Sequence, residues 1–270
     1  MANKKTEETM KRQGYSAAEI ATVLSGQQLS MPDKPLEMPE LALEPADFGY
    51  ETAMSHQEEY FAEQLGIESR MVDGRRITDS ETLKVVTMVY GGLVNKNIVA
   101  GLQARGVNAL GLTGADCNII KAHKRPVKTI DYGFVGDVEC ADGNMLSRLI
   151  EQGITPIVAP LTHDGKGNIL NTNADTMAAE TAKALATVYD TTLIYCFEFP
   201  GVMRDPEDAG SLIATITGES YKQLLADGIV SGGMIPKIDN AFNAIENGVK
   251  EVIITRADAI DGTQGTHIIA

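Results

Sequence analysis

Residues 168–198 read NILNTNADTMAAETAKALATVYDTTLIYCFE, and this stretch decides the fold. Its middle reads as a helix. Asn173 is a good N-cap, Asp175 suits the positive end of the helix dipole, and an alanine-rich apolar run follows. Its end, TTLIYCFE over 191–198, is continuous in apolar and β-favouring residues, as expected of a strand covered on both faces. A helix leading at once into such a strand is one unit of an alternating α/β pattern.

The pattern continues in both directions. Upstream, ETLKVVTMVYGGLVNKNIVAGLQARG (81–106) predicts a long helix ending at a glycine. Leu83, Val86, Tyr90 and Leu93 follow helical spacing, while Val85, Val89, Val94 and Ile98 broaden the stripe, so this helix is buried on more than one side. SHQEEYFAEQLG reads as a shorter helix before it. VNALGLTG (107–114) and ITPIVAPLT read as strands, NIIKAHKRPVKTIDYGFVGDVE as a hairpin region, and NMLSRLIEQG as a helix. Downstream, GESYKQLLADG and PKIDNAFNAIENG predict helices, and EVIITR and THIIA predict strands. The fold class is α/β, an open αβα sandwich with a mostly parallel central sheet. Residues 1–56 differ in composition: a segment able to form short helices precedes MPDKPLEMPELALEPADFGYE, whose four prolines among acidic residues predict an extended linker.

Composition excludes several classes of function. The chain has 270 residues and a net charge of −14, so a nucleic-acid backbone is repelled rather than collected. No apolar run of transmembrane length and no secretory leader are expected, which predicts a cytoplasmic protein without a membrane partner. Three cysteines, Cys117, Cys140 and Cys196, are odd in number and far apart, which argues against a disulfide framework. The histidines lack ligand spacing, so no protein-bound metal is expected.

The chemistry gathers at a few points. In SGGMIPKIDNAF, Pro236 fits the first turn of a helix and brings Lys237 into that turn. A cation there is unfavourable by ~0.3–1 kcal/mol unless an anion lies close. Gly232 and Gly233 let backbone N–H groups approach a ligand, and phosphate is the obvious anion. An ordinary turn with a solvated lysine is the plainer alternative. Capping explains Asn173 and Asp175, but not Asn171. An aspartate is also wrong for touching phosphate, and right for orienting an ammonium that does, which couples Asp175 to Lys237. The loop FEFPGVMRDPED follows the strand 191–198, where ligands of open α/β sheets bind. Arg75 and Arg76 in MVDGRRITD are either surface residues or one bidentate grip for a carboxylate.

Taken in order, LGIESRMVDGRRITD, GGLVNKNIVAGL, ALGLTGAD, NTNADTMA, PGVMRD, DGIVSGGMIPK and GTHI resemble the amino acid kinase family, in its acetylglutamate kinase branch, from about residue 62 to the C-terminus. The resemblance implies a domain over 57–270, with an N-lobe (about 57–165) for an acylated amino acid and a C-lobe (about 166–270) for the nucleotide. It implies transfer of the γ-phosphoryl group of ATP, arriving with Mg²⁺, to the side-chain carboxylate of N-acetyl- or N-succinyl-L-glutamate in arginine biosynthesis. No tightly bound cofactor is expected. By the family pattern, Lys237 stabilises charge on the transferring group and Asp175 organises the lysines around it. Asn171 and Asn173 lie on the substrate side, and Arg76 rather than Arg75 holds the substrate's α-carboxylate. Glu198, Phe199, Pro200, Gly201, Val202 and Met203, with Ile229, Val230, Ser231 and Gly233, line the nucleotide site. The helix 81–106 supplies a homodimer interface. The family's N-terminal Lys-x-Gly-Gly strand and His-Gly-Gly-Gly loop have no counterpart here, and FGYETAMSHQEEY stands where the triple glycine belongs. A kinase-derived binding protein without half of its phosphate cradle is therefore the alternative reading.

Overall fold

A computed structural model describes residues 58–270, except 60, 64, 69, 73, 74, 198, 206 and 262. The helical and linker reading of residues 1–56 lies outside the described residues.

Helical turns at 58–59 and 61–63 lead into a hairpin of β1 (Arg70–Val72) and β2 (Arg75–Ile77), paired antiparallel with Met71 opposite Arg76. Sequence patterning did not single out this hairpin, whose strands have only three residues each. The long helix α1 (Ser80–Ala104) follows. Asp79 caps it by accepting from the Glu81 and Thr82 N–H groups at 3.1 and 2.8 Å. Its middle, Thr87–Val94, winds as a π-helix across Gly91 and Gly92. A Cβ at Gly91 would lie 3.1 Å from Leu161, so the missing side chain lets the helix lie close to its neighbour. Beyond this wider turn, Asn95 donates to the Ile157 carbonyl at 2.8 Å and Lys96 to the Gly111 carbonyl at 3.0 Å. By length and composition this helix is apolar enough to cross a membrane, which corrects the expectation that no such run exists. Val85, Val86 and Val89 are buried in the protein's own core, while Met88 and Leu93 are exposed.

In the N-terminal half, β3 (Ala109–Leu112) pairs parallel with β6 (Thr155–Val158). A second sheet runs β5-β4-β7-β8, from β4 (Ile120–Lys124), β5 (Gly136–Ala141), β7 (Leu161–His163) and β8 (Ile169–Asn171). The expected strand ITPIVAPLT is thus two strands, and Pro160, which cannot donate to a ladder, stands at the break. The helix α2 (Gly143–Glu151) is capped by Asp142, which accepts from the Met145 N–H. In the C-terminal half, the sheet order is β10-β12-β11-β9, from β9 (Thr192–Phe197), β10 (Thr215–Ile216), β11 (Glu251–Arg256) and β12 (Thr266–Ile268). Three helices accompany it: α3 (Ala174–Ala186), α4 (Gly218–Ala226) and α5 (Met234–Glu246).

Burial explains the arrangement. The C-terminal half has one large core, in which Ile216, Ile238, Val252, Ile254 and Ile268 are fully buried. The N-terminal half has two smaller clusters, one around Val85, Val89 and Leu161 and one around Leu112, Ile120 and Leu146. The helix α3 serves both halves, giving Met177 to the second small cluster and Ala179 and Ala182 to the large core. Among the described residues, β6 pairs only with β3, and β9 only with β11. A cavity of about 360 Å³ borders these two rims, lined by Val158, Pro160, Met177, Ala178, Leu185 and Leu193 among others.

Candidate active site

Two helix beginnings meet at the C-terminal half of the site. Asn173 caps α3 by accepting from the Thr176 N–H at 2.9 Å, which leaves Asp175 in the first turn. The helix α5 starts at Met234, behind Gly232 at φ +54°, and puts Lys237 within its first turn. The Lys237 ammonium donates to Asp175 Oδ1 at 2.8 Å, and its side chain is only 12% exposed. It also lies 4.6 Å from the centre of the Tyr195 ring on β9. Tyr195 donates its hydroxyl to the Asp175 carbonyl at 3.1 Å. Burial, and then the charges of Asp175 and Glu180, push this phenol up, so it stays protonated and remains a donor. The ammonium is therefore fixed by a carboxylate on one side and a ring face on another. Lys237 and the positive ends of two helix dipoles together make a place where a negative group is stabilised.

The loop after β9 is held from below. Thr266, fully buried on β12, donates to the Ile213 carbonyl at 2.7 Å and accepts from the Val202 N–H at 2.8 Å. A Cβ at Gly201 would lie 2.6 Å from the Thr266 hydroxyl, so only glycine allows this approach. Of the residues expected to line a nucleotide, Phe199 is exposed and Pro200 half-buried, whereas Val202, Met203 and Val230 point into the core. Their side chains pack the core, which leaves the backbone as their means of touching a ligand. Ile229 is half-buried, Ser231 and Gly233 are exposed, and Glu198 lies outside the described residues.

The N-terminal half contributes Arg76 and Asn171. Asn171, at the end of β8, donates its side-chain amide to the hydroxyl of Thr78 at 3.0 Å. Thr78 is fully buried, with its N–H on the Tyr132 carbonyl and its own carbonyl accepting from Phe134. A Cβ at Gly133 would lie 2.1 Å from that Thr78 carbonyl, and Gly133 sits at φ +73°, where glycine is favoured on both counts. Arg76 is 9% exposed and surrounded by acids. Its Nε donates to Glu58 Oε2 at 2.8 Å and its Nη2 to Glu59 Oε1 at 3.1 Å. Tyr90, from the π-helical part of α1, donates to the same Glu58 oxygen at 2.9 Å. Arg76 Nη1 and Glu58 Oε1 are buried without a hydrogen-bond partner. Burial raises the pKa of Glu58 above the usual glutamate range, opposed by the Arg76 charge and the Tyr90 hydrogen bond.

Lys237, Asp175 and Tyr195 thus form one contact group, and Arg76 with Glu58, Glu59 and Tyr90 another. Asn171 belongs with Thr78, and Asn173 is occupied in capping. Sequence reasoning missed Tyr195, Thr78 and both glutamates. The signal for Tyr195 was a phenol in the middle of a strand expected to be covered on both faces, since a buried tyrosine needs a partner for its polar tip.

Comparison with known proteins agrees with this arrangement of elements. A profile described as Amino acid kinase family matches residues 49–256. The chain is 67% identical over 207 residues to acetylglutamate kinase of Bacteroides thetaiotaomicron, covering 77% of this chain and 80% of the relative. It is 41% identical to acetylglutamate kinase of Methanopyrus kandleri over 210 residues, covering 76% of this chain and 84% of the relative. Among solved structures, smu.665 from Streptococcus mutans UA159 superposes with a TM-score of 0.67 at 28% identity, covering 79% of this chain and 82% of that one. Carbamate kinase from Giardia lamblia bound to AMP-PNP shares the fold at a TM-score of 0.50 and 17% identity, covering 80% of this chain and 78% of that one.

Proposed function

This chain belongs to the amino acid kinase family, and from that premise we propose that it transfers the γ-phosphoryl group of ATP to the side-chain carboxylate of N-acetyl-L-glutamate. It is a phosphotransferase with a carboxyl group as acceptor, of the acetylglutamate kinase type, serving arginine biosynthesis. The observation that carries the reading is the 2.8 Å contact joining Lys237 and Asp175 across the first turns of α5 and α3.

Phosphoryl transfer of this kind needs positioning and charge stabilisation rather than a covalent intermediate. Lys237 meets the charge that grows on the transferring oxygens, and Asp175 with Tyr195 keeps the ammonium in place as that charge develops. Magnesium enters with ATP, held largely by the phosphates. The C-terminal half, about 166–270, takes the nucleotide along the loop 199–203 and the turn 229–233. The N-terminal half, about 57–165, takes the N-acyl amino acid, with Arg76 on its α-carboxylate and with Asn171, just past that boundary at the end of β8, beside it. An N-succinyl substrate fits the same scheme. The exposed Met88 and Leu93 on α1 support pairing of two copies along that helix.

A second reading, a kinase-derived binding protein, is favoured by the missing glycine motifs. Coupled ADP release with N-acetyl- and N-succinyl-L-glutamate separates the two. Turnover that falls ~10²–10³-fold in Lys237→Ala supports the kinase. Calorimetric binding of the amino acid without turnover supports the binding protein. Turnover unchanged in Lys237→Ala removes the proposed role of the lysine.

A further inference from the structure

Arg76 has five N–H donors and two edges on which a carboxylate can sit with both oxygens engaged. One edge is Nε with Nη2, and the other is Nη1 with Nη2. Nη2 is common to both, and Glu59 lies on it at 3.1 Å. Resting on the reading that Arg76 holds the substrate's α-carboxylate, we propose that Glu59 occupies the seat of that carboxylate and must leave for substrate to bind, while Glu58 stays and positions the arginine.

The two glutamates differ in the ways this requires. Glu58 is fully buried, and the single oxygen it offers Arg76 also accepts from Tyr90. Tyr90 is itself 9% exposed, so this side of the guanidinium is built into the core. Glu59 has a side chain 49% exposed and meets the arginine through one oxygen at 3.1 Å. An exposed ion pair is worth little and is readily exchanged, whereas removing a buried partner strands a charge. A guanidinium already facing two carboxylates gains little from a third, because the acids repel one another. The substrate therefore replaces the weaker acid. Arg76 Nη1, buried and without a partner, is the second donor of the end-on edge once Glu59 swings away.

This makes Glu59 an internal competitor, selective for ligands that carry a carboxylate at that position. Calorimetry on the intact chain tests it with two probes, N-acetyl-L-glutamate and its analogue with an α-carboxamide. Glu59→Gln is expected to lower Kd for the acid about two- to fivefold, the size of an exposed pair, and to leave Kd for the amide unchanged. Glu58→Gln is expected to weaken binding of the acid, and Glu59→Asp to restore wild-type affinity. An unchanged or weakened affinity for the acid in Glu59→Gln overturns the inference, as does an equal gain for the amide. Arg76→Gln separates this from the underlying reading. If it costs the acid far more affinity than the amide, the arginine assignment stands whatever Glu59 does. If it costs neither, or if wild type binds neither probe, the assignment and the inference fall together.

Discussion

The two halves of the protein solve the same problem differently. In the C-terminal half a single core backs a four-stranded sheet, and the Lys237 ammonium on α5 is fixed by groups from α3 and β9. In the N-terminal half two small clusters support separate two- and four-stranded sheets, and Arg76 is held by acids from outside those sheets. A large core tolerates a site placed on its rim, because rotamers there are already set by packing. A small one sets its site through polar contacts, which are more easily exchanged.

The largest test of that contrast is in packing. Ile254→Ala, at a fully buried position of the large core, is expected to cost about 2–5 kcal/mol in urea unfolding. Leu146→Ala, 1% exposed in a small cluster, is expected at the lower end of that range, since fewer fixed neighbours allow more collapse. Equal costs would break the comparison. Next comes Gly133→Ala, which must move the Thr78 carbonyl now 2.1 Å from the new Cβ. It is expected to cost about 1–3 kcal/mol, and to weaken N-acyl-L-glutamate binding through Asn171 while leaving nucleotide affinity intact. Loss of both affinities would show that the halves are not separable.

The smallest effect is a pH slope. Burial raises the pKa of Glu58 in the folded state, so between the ordinary glutamate value of 4.5 and that raised value the native protein holds more proton than the unfolded chain. Stability from this group is therefore present at low pH and lost as pH rises through that window. The difference in stability between wild type and Glu58→Gln is expected to shift against wild type as pH rises above 4.5. Unfolding curves collected across that range measure it, and a difference that stays flat would place Glu58 in a wetter setting.

Much of the architecture was legible because it follows from periodicity. The alternation of helix and strand, the cap at Asn173 and the placing of Lys237 in a helix's first turn all rest on local rules. The coupling of Asp175 to Lys237 was legible too, because an aspartate is wrong for touching phosphate and right for orienting an ammonium that does. What escaped was non-local. Glu58 and Tyr90 are 32 residues apart, and Asn171 and Thr78 are 93 apart, and no spacing rule joins such pairs. The β1–β2 hairpin escaped because strands of three residues leave no alternation to read. The π-helical turn escaped because its glycines read equally well as helix punctuation.

The open rims of β6 and β9 carry a mechanical consequence. With no ladder bonds between them among the described residues, the line between the halves is a perforation. Among the described residues, tension or denaturant acting across it meets side-chain packing around α3 rather than ladder bonds between β6 and β9.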